Sequence, residues 1–304
     1  MTTTPNPFTD PNPFADQSTR EDLGPIEPRC ILDSLDDSGT RDIEPANFIF
    51  DIETAPRPWE EIEPFLEPFA AQEFDPSTVK CGDIDRLKRP DAEKSQMRQE
   101  KIAKAKAAFE ETIQTEEQWR ESILSKATLD PLWGEICAIG YGWRRDKDGC
   151  EIIALTGQGR EGHSEARMIH DFWCHFLWTR HNQGKLGGHG ITSFDVPWLI
   201  NRARFHRIAI PRGVLVQNRY LDKLFVDTMQ LWGCGVYGAR FVSADDLAIF
   251  LGVRRKVQHT VEGATYWKFH RSKKAKERKL AAEYLAGDIA CELDIADAMS
   301  AWES

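Results

Sequence analysis

The run Asn47-Phe-Ile-Phe-Asp-Ile-Glu53 decides how the chain is read. Its residues alternate as in a half-buried strand, and Pro56 and Pro58, which cannot continue a sheet ladder, bring it to an end. On a strand of period two, Asp51 and Glu53 leave by one face with Ile49, while Phe48, Phe50 and Ile52 leave by the other. Two anions therefore share one edge of a core sheet. At about 4 to 5 Å and an effective dielectric near 20 they repel by roughly 3 to 4 kcal/mol, and a cation between them removes that cost. Hard oxygen ligands of this kind suit Mg²⁺ or Mn²⁺. Asp42-Ile-Glu44 and Asp91-Ala-Glu93 have the same spacing, but neither follows an apolar strand. Taken alone, Asp51-Ile-Glu53 could equally be an exposed strand end.

On the N-terminal side, residues 1–45 are rich in Pro, Asp, Ser and Thr without apolar periodicity, which predicts a disordered acidic tail. On the C-terminal side, residues 60–129 read as a helical insertion. From Pro90 to Lys126 the chain is dense in Lys, Glu, Ala, Gln and Arg, with Ile102, Phe109, Ile113 and Ile123 at intervals that predict one or two amphipathic helices. Gly134 to Trp143 and Glu151 to Leu155 then read as strands joined through the hairpin signal Asp148-Gly149. A helix is predicted from Ser164 to Arg180, a strand from Lys185 to His189 and a helix from Val196 to Arg207. A strand over Leu224 to Leu231, a helix over Ala244 to Leu251 and a terminal helical region from Lys273 follow. Three antiparallel strands followed by α-β-α-β-α predict an α/β domain over residues 46–304. It would be a mixed sheet flanked by helices with a helical insertion after the first strand, an order compatible with the ribonuclease H-like fold.

A chain of 304 residues with 10 Trp and 41% hydrophobic residues can bury a sizeable core. A mean hydropathy of -0.50 and the lack of any apolar run near 18 residues exclude a membrane span. No secretory signal is visible at the N-terminus, so a cytoplasmic location is expected. Seven cysteines, widely and irregularly spaced with no C-x-x-C pair, argue against a disulfide framework or a zinc site. The net charge is -10, yet residues 254–279 carry ten Lys or Arg against only Glu262 and Glu277. An acidic whole therefore contains a strongly basic stretch.

Two more segments carry chemistry. In Leu186-Gly-Gly-His-Gly-Ile-Thr-Ser-Phe-Asp-Val-Pro-Trp-Leu-Ile200, a glycine-rich strand end runs into Asp195 and then Pro197 near a first helical turn. Asp195 is there either a helix cap or a ligand, and His189 reads as a structural histidine. In Tyr284-Leu-Ala-Gly-Asp288, four-residue spacing places phenol and carboxylate on one helix face, beside the apolar stripe Leu285, Ile289, Leu293 and Ala296. The neutral phenol can orient a water by hydrogen bonding.

Taken in order, Asp51-Ile-Glu53, Phe194-Asp195 and Tyr284-x-x-x-Asp288 resemble the three motifs of the DEDD 3′-5′ exonucleases in the tyrosine-bearing subgroup. Phe50 to Thr54, Leu129 to Gly140, Gly188 to Trp198 and Ser243 to Gly252 resemble, more closely, exonucleases related to the proofreading domain of family B DNA polymerases. The resemblance covers about residues 46 to 300. It implies a 3′-5′ exonuclease that hydrolyses DNA, in particular single strands, with two divalent cations, Mg²⁺ or Mn²⁺. Asp51 would bridge the ions, Glu53 and Asp288 would complete the site of the ion that binds the attacking water, Asp195 would hold the second ion, and Tyr284 would orient the nucleophile. Gly190 and Ser193 stand where polymerase-type sequences carry Asn and a polar amide. Glu283 stands where the histidine-bearing subgroup places its base.

A single strand needs local positive charge and stacking surfaces. Arg202, Arg204, Arg207, Arg212 and Arg219 occur with no acidic residue among them, close in sequence to Asp195. A second basic run holds Lys268, Arg271, Lys273 and Lys274 with Tyr266, Trp267 and Phe269 interleaved, and leads into Tyr284. The nucleic-acid path is therefore expected along Thr54, Phe194, Arg202, Lys268, Arg271, Lys273 and Lys274. An exoribonuclease would carry the same carboxylates, and a non-catalytic nucleic-acid-binding replication or repair accessory protein could share the fold.

Overall fold

The computed structural model describes residues 23–29, 47–70, 73–112, 115–144, 151–157, 164–214, 224–234, 236, 241–256 and 261–303. In chain order its regular elements are β1 (Phe48–Pro56), α1 (Trp59–Ile62), α2 (Gly82–Asp85), α3 (Asp91–Thr112), α4 (Glu116–Ala127), β2 (Gly134–Arg144), β3 (Glu151–Gly157), α5 (Glu165–His181), β4 (Leu186–Gly188), α6 (Asp195–His206), β5 (Phe225–Asp227), α7 (Thr228–Trp232), α8 (Ala244–Leu251), α9 (Tyr266–His270) and α10 (Ala275–Ala298). Residues Ile62–Lys126 form one compact unit and the remainder of the chain another.

The larger unit is α/β, with one mixed sheet in the order β3-β2-β1-β4-β5. The three strands first in sequence pair antiparallel, and β4 and β5 join parallel to β1 and to each other. Strand β1 is central, and its alternation divides the core. Phe48, Phe50 and Ile52 pack with Ile139, Tyr141 and Trp143 of β2 under α5 and α6. Ile49 faces the other way, toward Leu285, Ile289 and Leu293 of α10. Each fully buried Phe or Leu contributes about 1.5–3 kcal/mol, so a one-residue slip of β1 would exchange two hydrophobic layers at once.

Glycines let α10 lie close on the sheet. A Cβ at Gly142 would stand 2.3 Å from Ile289 Cγ2, and one at Gly140 3.0 Å from Ile289 Cγ1. Gly140 is the register partner of Asp51, so the same flat patch brings α10 down beside the acidic strand.

Local signals place the helices. Ser164 caps α5 by accepting from Arg167 N at 3.1 Å, and Ser243 caps α8 by accepting from Asp246 N at 3.1 Å. Gly252 ends α8 in the left-handed conformation, φ 69°. The strand expected over Leu224 to Leu231 is shorter. It stops at Asp227, whose carboxylate accepts from Met229 N at 3.0 Å and Gln230 N at 3.4 Å and starts α7 instead. The expected hairpin is present as the β2–β3 ladder; its turn, Asp148-Gly149, lies outside the described residues.

Where the chain leaves β1 and re-enters at β2, Thr54 Oγ1 donates to the Thr128 carbonyl at 2.6 Å. Arg57 N donates to the Trp133 carbonyl at 3.0 Å, and Pro56 is in register with Gly134. The excursion Ile62–Lys126 is helical, as expected, with two helices over the Pro90 to Lys126 stretch. Within it Lys101 pairs with Asp83 at 2.8 Å, and Phe74 meets Phe109 at 5.5 Å between ring centroids.

Of the N-terminal stretch expected to be disordered, residues 23–29 are described. Ile26 packs against the α5 side of the core, Arg29 N donates to the Cys174 carbonyl at 3.2 Å, and the Arg29 guanidinium pairs with Asp171. The remaining tail, residues 1–22 and 30–45, lies outside the described residues. Cys81, Cys137, Cys174, Cys234 and Cys291 are free thiols. No helix among the described residues is long and apolar enough to cross a membrane.

Candidate metal centre

Three segments distant in sequence meet on the α10 side of β1. Asp51, Glu53 and Asp288 each offer a carboxylate oxygen, and these oxygens lie within 4.8 Å of one another. Strand alternation supplies the first two, and the helix seated on Gly140 and Gly142 supplies the third. Asp195 arrives from the first turn of α6. Its carboxylate accepts from Ile52 N of β1 at 3.0 Å and contacts the Asp51 carboxyl. Asp195 thus lies beside the acidic cluster through its contact with Asp51.

The approach of Asp195 is held by a buried hub. Asp227 accepts from Gly190 N at 2.9 Å, Thr192 N at 3.0 Å and Thr192 Oγ1 at 2.6 Å, which fixes the loop leading to α6. His189, read as structural, bridges Thr228 Oγ1 at 3.0 Å and the Val242 carbonyl at 2.8 Å.

Burial and mutual repulsion set the electrostatics. Burial first, then Asp288, pushes Asp51 up to about 6. Burial followed by Asp51 and Asp288 holds Glu53 well above the usual carboxylate range, and burial with Asp51 does the same to Asp195. Tyr284 lies on α10 one turn before Asp288 and is hydrogen-bonded to it. Burial, then the charges of Asp288 and Glu53, keeps its phenol protonated far above its ordinary range.

Two residues of the centre were missed from the sequence. Lys256, counted there only as part of a basic run, turns inward and places Nζ 2.7 Å from Asp288 Oδ2. Burial opposes its charge, but Asp288, Glu292 and Asp51 raise its affinity for a proton above that of an ordinary lysine. Glu292 is 4% exposed, and its Oε2 has no hydrogen-bond partner among the described residues. An ammonium drawn into the cluster and an orphaned carboxylate oxygen beside it are what a pocket built for cations is expected to show. All donors are hard oxygens, the set that Mg²⁺ or Mn²⁺ takes. Asp51, Glu53 and Asp288 could hold a divalent ion, with Asp195 beside them.

The residues expected on a nucleic-acid path scatter. Arg202 is a correction: it is buried at 2% exposure, with Nε 2.8 Å and Nη2 2.6 Å from the two oxygens of Glu165 and Nη1 3.2 Å from the Pro131 carbonyl. Its charge is spent inside the fold, and it presents no face to a phosphate. Glu165 also binds His206 at 2.6 Å; burial would raise it, but Arg202 and His206 outweigh burial and hold it down to about 2. Thr54 is buried with its hydroxyl committed to Thr128, and Phe194 is half-buried, 5.9 Å from the Trp198 ring. Lys268 is exposed beside the Trp267 ring, 5.4 Å from its centroid. Arg271 pairs with Glu135 at 2.6 Å and stands 5.8 Å from the same ring. Lys273 is exposed, and Lys274 is exposed and paired with Glu277 at 2.8 Å. The second basic run thus keeps cations and an aromatic surface at the entry to α10.

No protein-family model, curated protein or solved structure matches the chain.

Proposed function

We propose that this chain is a metal-dependent 3′-5′ exonuclease on a ribonuclease H-like sheet, removing nucleoside 5′-monophosphates from single-stranded DNA. The observation that carries the reading is the convergence of Asp51, Glu53 and Asp288 within 4.8 Å, with Asp195 hydrogen-bonded to the same strand and Tyr284 to Asp288. Strand order and crossings are those compatible with that fold, and the resemblance of the three motifs to DEDD exonucleases supplies the reaction.

Two divalent cations held by Asp51, Glu53, Asp195 and Asp288 would stabilise the entering and leaving oxygens of an in-line phosphodiester displacement. The protein's own groups do the rest. In hydrolysis a water oxygen bonds to phosphorus as the P–O3′ bond breaks; the water loses a proton and the leaving oxygen gains one. Tyr284 stays a phenol, so it takes part as a hydrogen-bonding group that orients the water and not as its base. The cluster of raised carboxylates must shed protons as the ions enter, so loading improves as pH rises through about 6, where Asp51 ionises. Lys256 offsets part of the remaining negative charge where the anionic strand would approach. Lys268 and Lys273, with the Trp267 ring, provide phosphate and stacking contacts at the start of α10.

The test is a strand-shortening assay. Matched 5′-labelled single-stranded DNA and RNA are incubated with wild type and Asp288→Ala, in EDTA and in Mg²⁺ or Mn²⁺. The expected result is a ladder receding from the 3′ end of DNA, with wild type and metal only. Faster shortening of RNA would reassign the substrate, and intact strands under every condition would refute the enzymatic reading.

A further inference from the structure

Glu292 belongs to none of the sequence motifs, yet it sits among them. It lies four residues beyond Asp288 on α10, so both side chains leave the helix on one face. Its neighbours in sequence behave differently: Asp294 pairs with Arg144 and with Arg254, the latter at 3.1 Å, and Asp297 pairs with Arg144 at 2.9 Å. Glu292 alone of the three turns in, 96% buried, with Oε2 unpartnered among the described residues. Such an oxygen is rare in folded proteins and points to a missing partner.

Glu292 lies against the edge of β4. Gly188, on β4 beside β1, presents its bare Cα there; a Cβ at that position would lie 3.5 Å from Glu292 Oε2 and 2.7 Å from the Phe50 carbonyl. The repulsive charges Glu292 feels are Asp51 first, then Asp288 and Asp195, and Lys256 opposes them. Counting Glu292, five carboxylates lie around the ammonium of Lys256 among the described residues. Were all five ionised, as cation binding would require, the surplus would be four negative charges, the charge of two divalent cations.

We propose that Glu292 is a further cation ligand of the acidic centre, adding its unpartnered buried oxygen to a cluster that Asp51, Glu53 and Asp288 begin. The inference rests on the metal-dependent reading above, but its test is independent of catalysis. Full-length wild type, Glu292→Gln and Glu292→Asp are titrated with Mn²⁺ alone, and free ion is counted by electron paramagnetic resonance. Wild type is expected to bind two ions. Glu292→Gln should keep one with affinity within about threefold of wild type and hold the other at least tenfold more weakly, in the range that lost metal partners produce. A melting curve in EDTA shows that Glu292→Gln is folded; should it not be, Glu292→Asp, which keeps the charge and shortens the arm, is expected to weaken the same single ion. Two ions at wild-type affinity in the folded variant, or fewer than two in wild type, overturn the proposal. Strand shortening on the same samples separates the two ideas. Two ions lost to one without any shortening sinks the nuclease reading alone, and shortening with both ions retained in Glu292→Gln sinks the role of Glu292 alone.

Discussion

Replacing Asp51 by Asn should make the metal-free protein more stable. Asp51 rises from an ordinary 3.8 to about 6, through burial first and the neighbouring Asp288 second. The folded chain therefore holds this proton more tightly than the unfolded chain. Its stabilising contribution is complete below pH 4 and is lost as pH climbs through 6. The difference between 3.8 and about 6 is worth about 3 kcal/mol at pH 8, and about 2 kcal/mol once the part of Asp51 open to water is discounted. Asparagine carries no charge at any pH and escapes the loss. For a domain of this size, about 2 kcal/mol corresponds to roughly 4–8 °C in Tm. In EDTA, circular-dichroism melts should show Asp51→Asn above wild type by that margin at pH 8 and level with it near pH 4. Saturating Mn²⁺ should reverse the order at pH 8, since a ligand at 100 times its Kd adds about 2.7 kcal/mol to wild type and little to a variant lacking the bridging carboxylate. An Asp51→Asn protein melting at or below wild type in EDTA at pH 8 would show that the acidic cluster is not under repulsion, and the argument for a cation would lose its basis.

Arg202→Met should cost about 3–5 kcal/mol, because it leaves Glu165 buried without its guanidinium partner; the drop is read as a fall in Tm, with Mn²⁺ count and DNA affinity unchanged in the protein that remains folded. An unaltered Tm with weaker DNA binding would return Arg202 to the nucleic-acid path. Lys273→Ala should reduce the slope of log K against log salt for a fluorescent single strand by about 0.7, the share of one phosphate contact, measured by anisotropy in EDTA. Lys274→Ala should change it less, since that ammonium is already paired with Glu277 at 2.8 Å. Equal slopes in wild type and both variants would place the strand elsewhere.

What could be read from the sequence is what depends on short-range periodicity. The alternation around Asp51 identified the face of β1 that carries the acids, and the four-residue step from Tyr284 to Asp288 identified the face of α10. The helix starts expected at Ser164 and Ala244 hold because the caps that Ser164 and Ser243 form there are local contacts. Misreadings fall where a side chain's partner is far along the chain. Arg202 looked like phosphate surface because its neighbours are arginines, while its partner Glu165 lies 37 residues earlier. Lys256 was counted with a solvent-facing run, and only the packing of α10 against β2 shows that it turns toward Asp288. Glu292, Asp294 and Asp297 are equivalent as charges on paper; which of them points inward is settled by the rotation of the helix on Gly140 and Gly142. Asp227 hides a hub in what reads as the middle of an apolar strand.

The clasp at Thr54, Arg57 and Trp133 ties off the long excursion at its root, within the ladder that aligns Pro56 with Gly134. Closing a loop costs entropy that grows only with the logarithm of its length, about 0.6 kcal/mol for each doubling. With the root pinned, each doubling of the excursion adds only that much to the entropy of closing it. A change of length in the excursion is therefore entropically cheap at the root of the strand that carries Asp51 and Glu53.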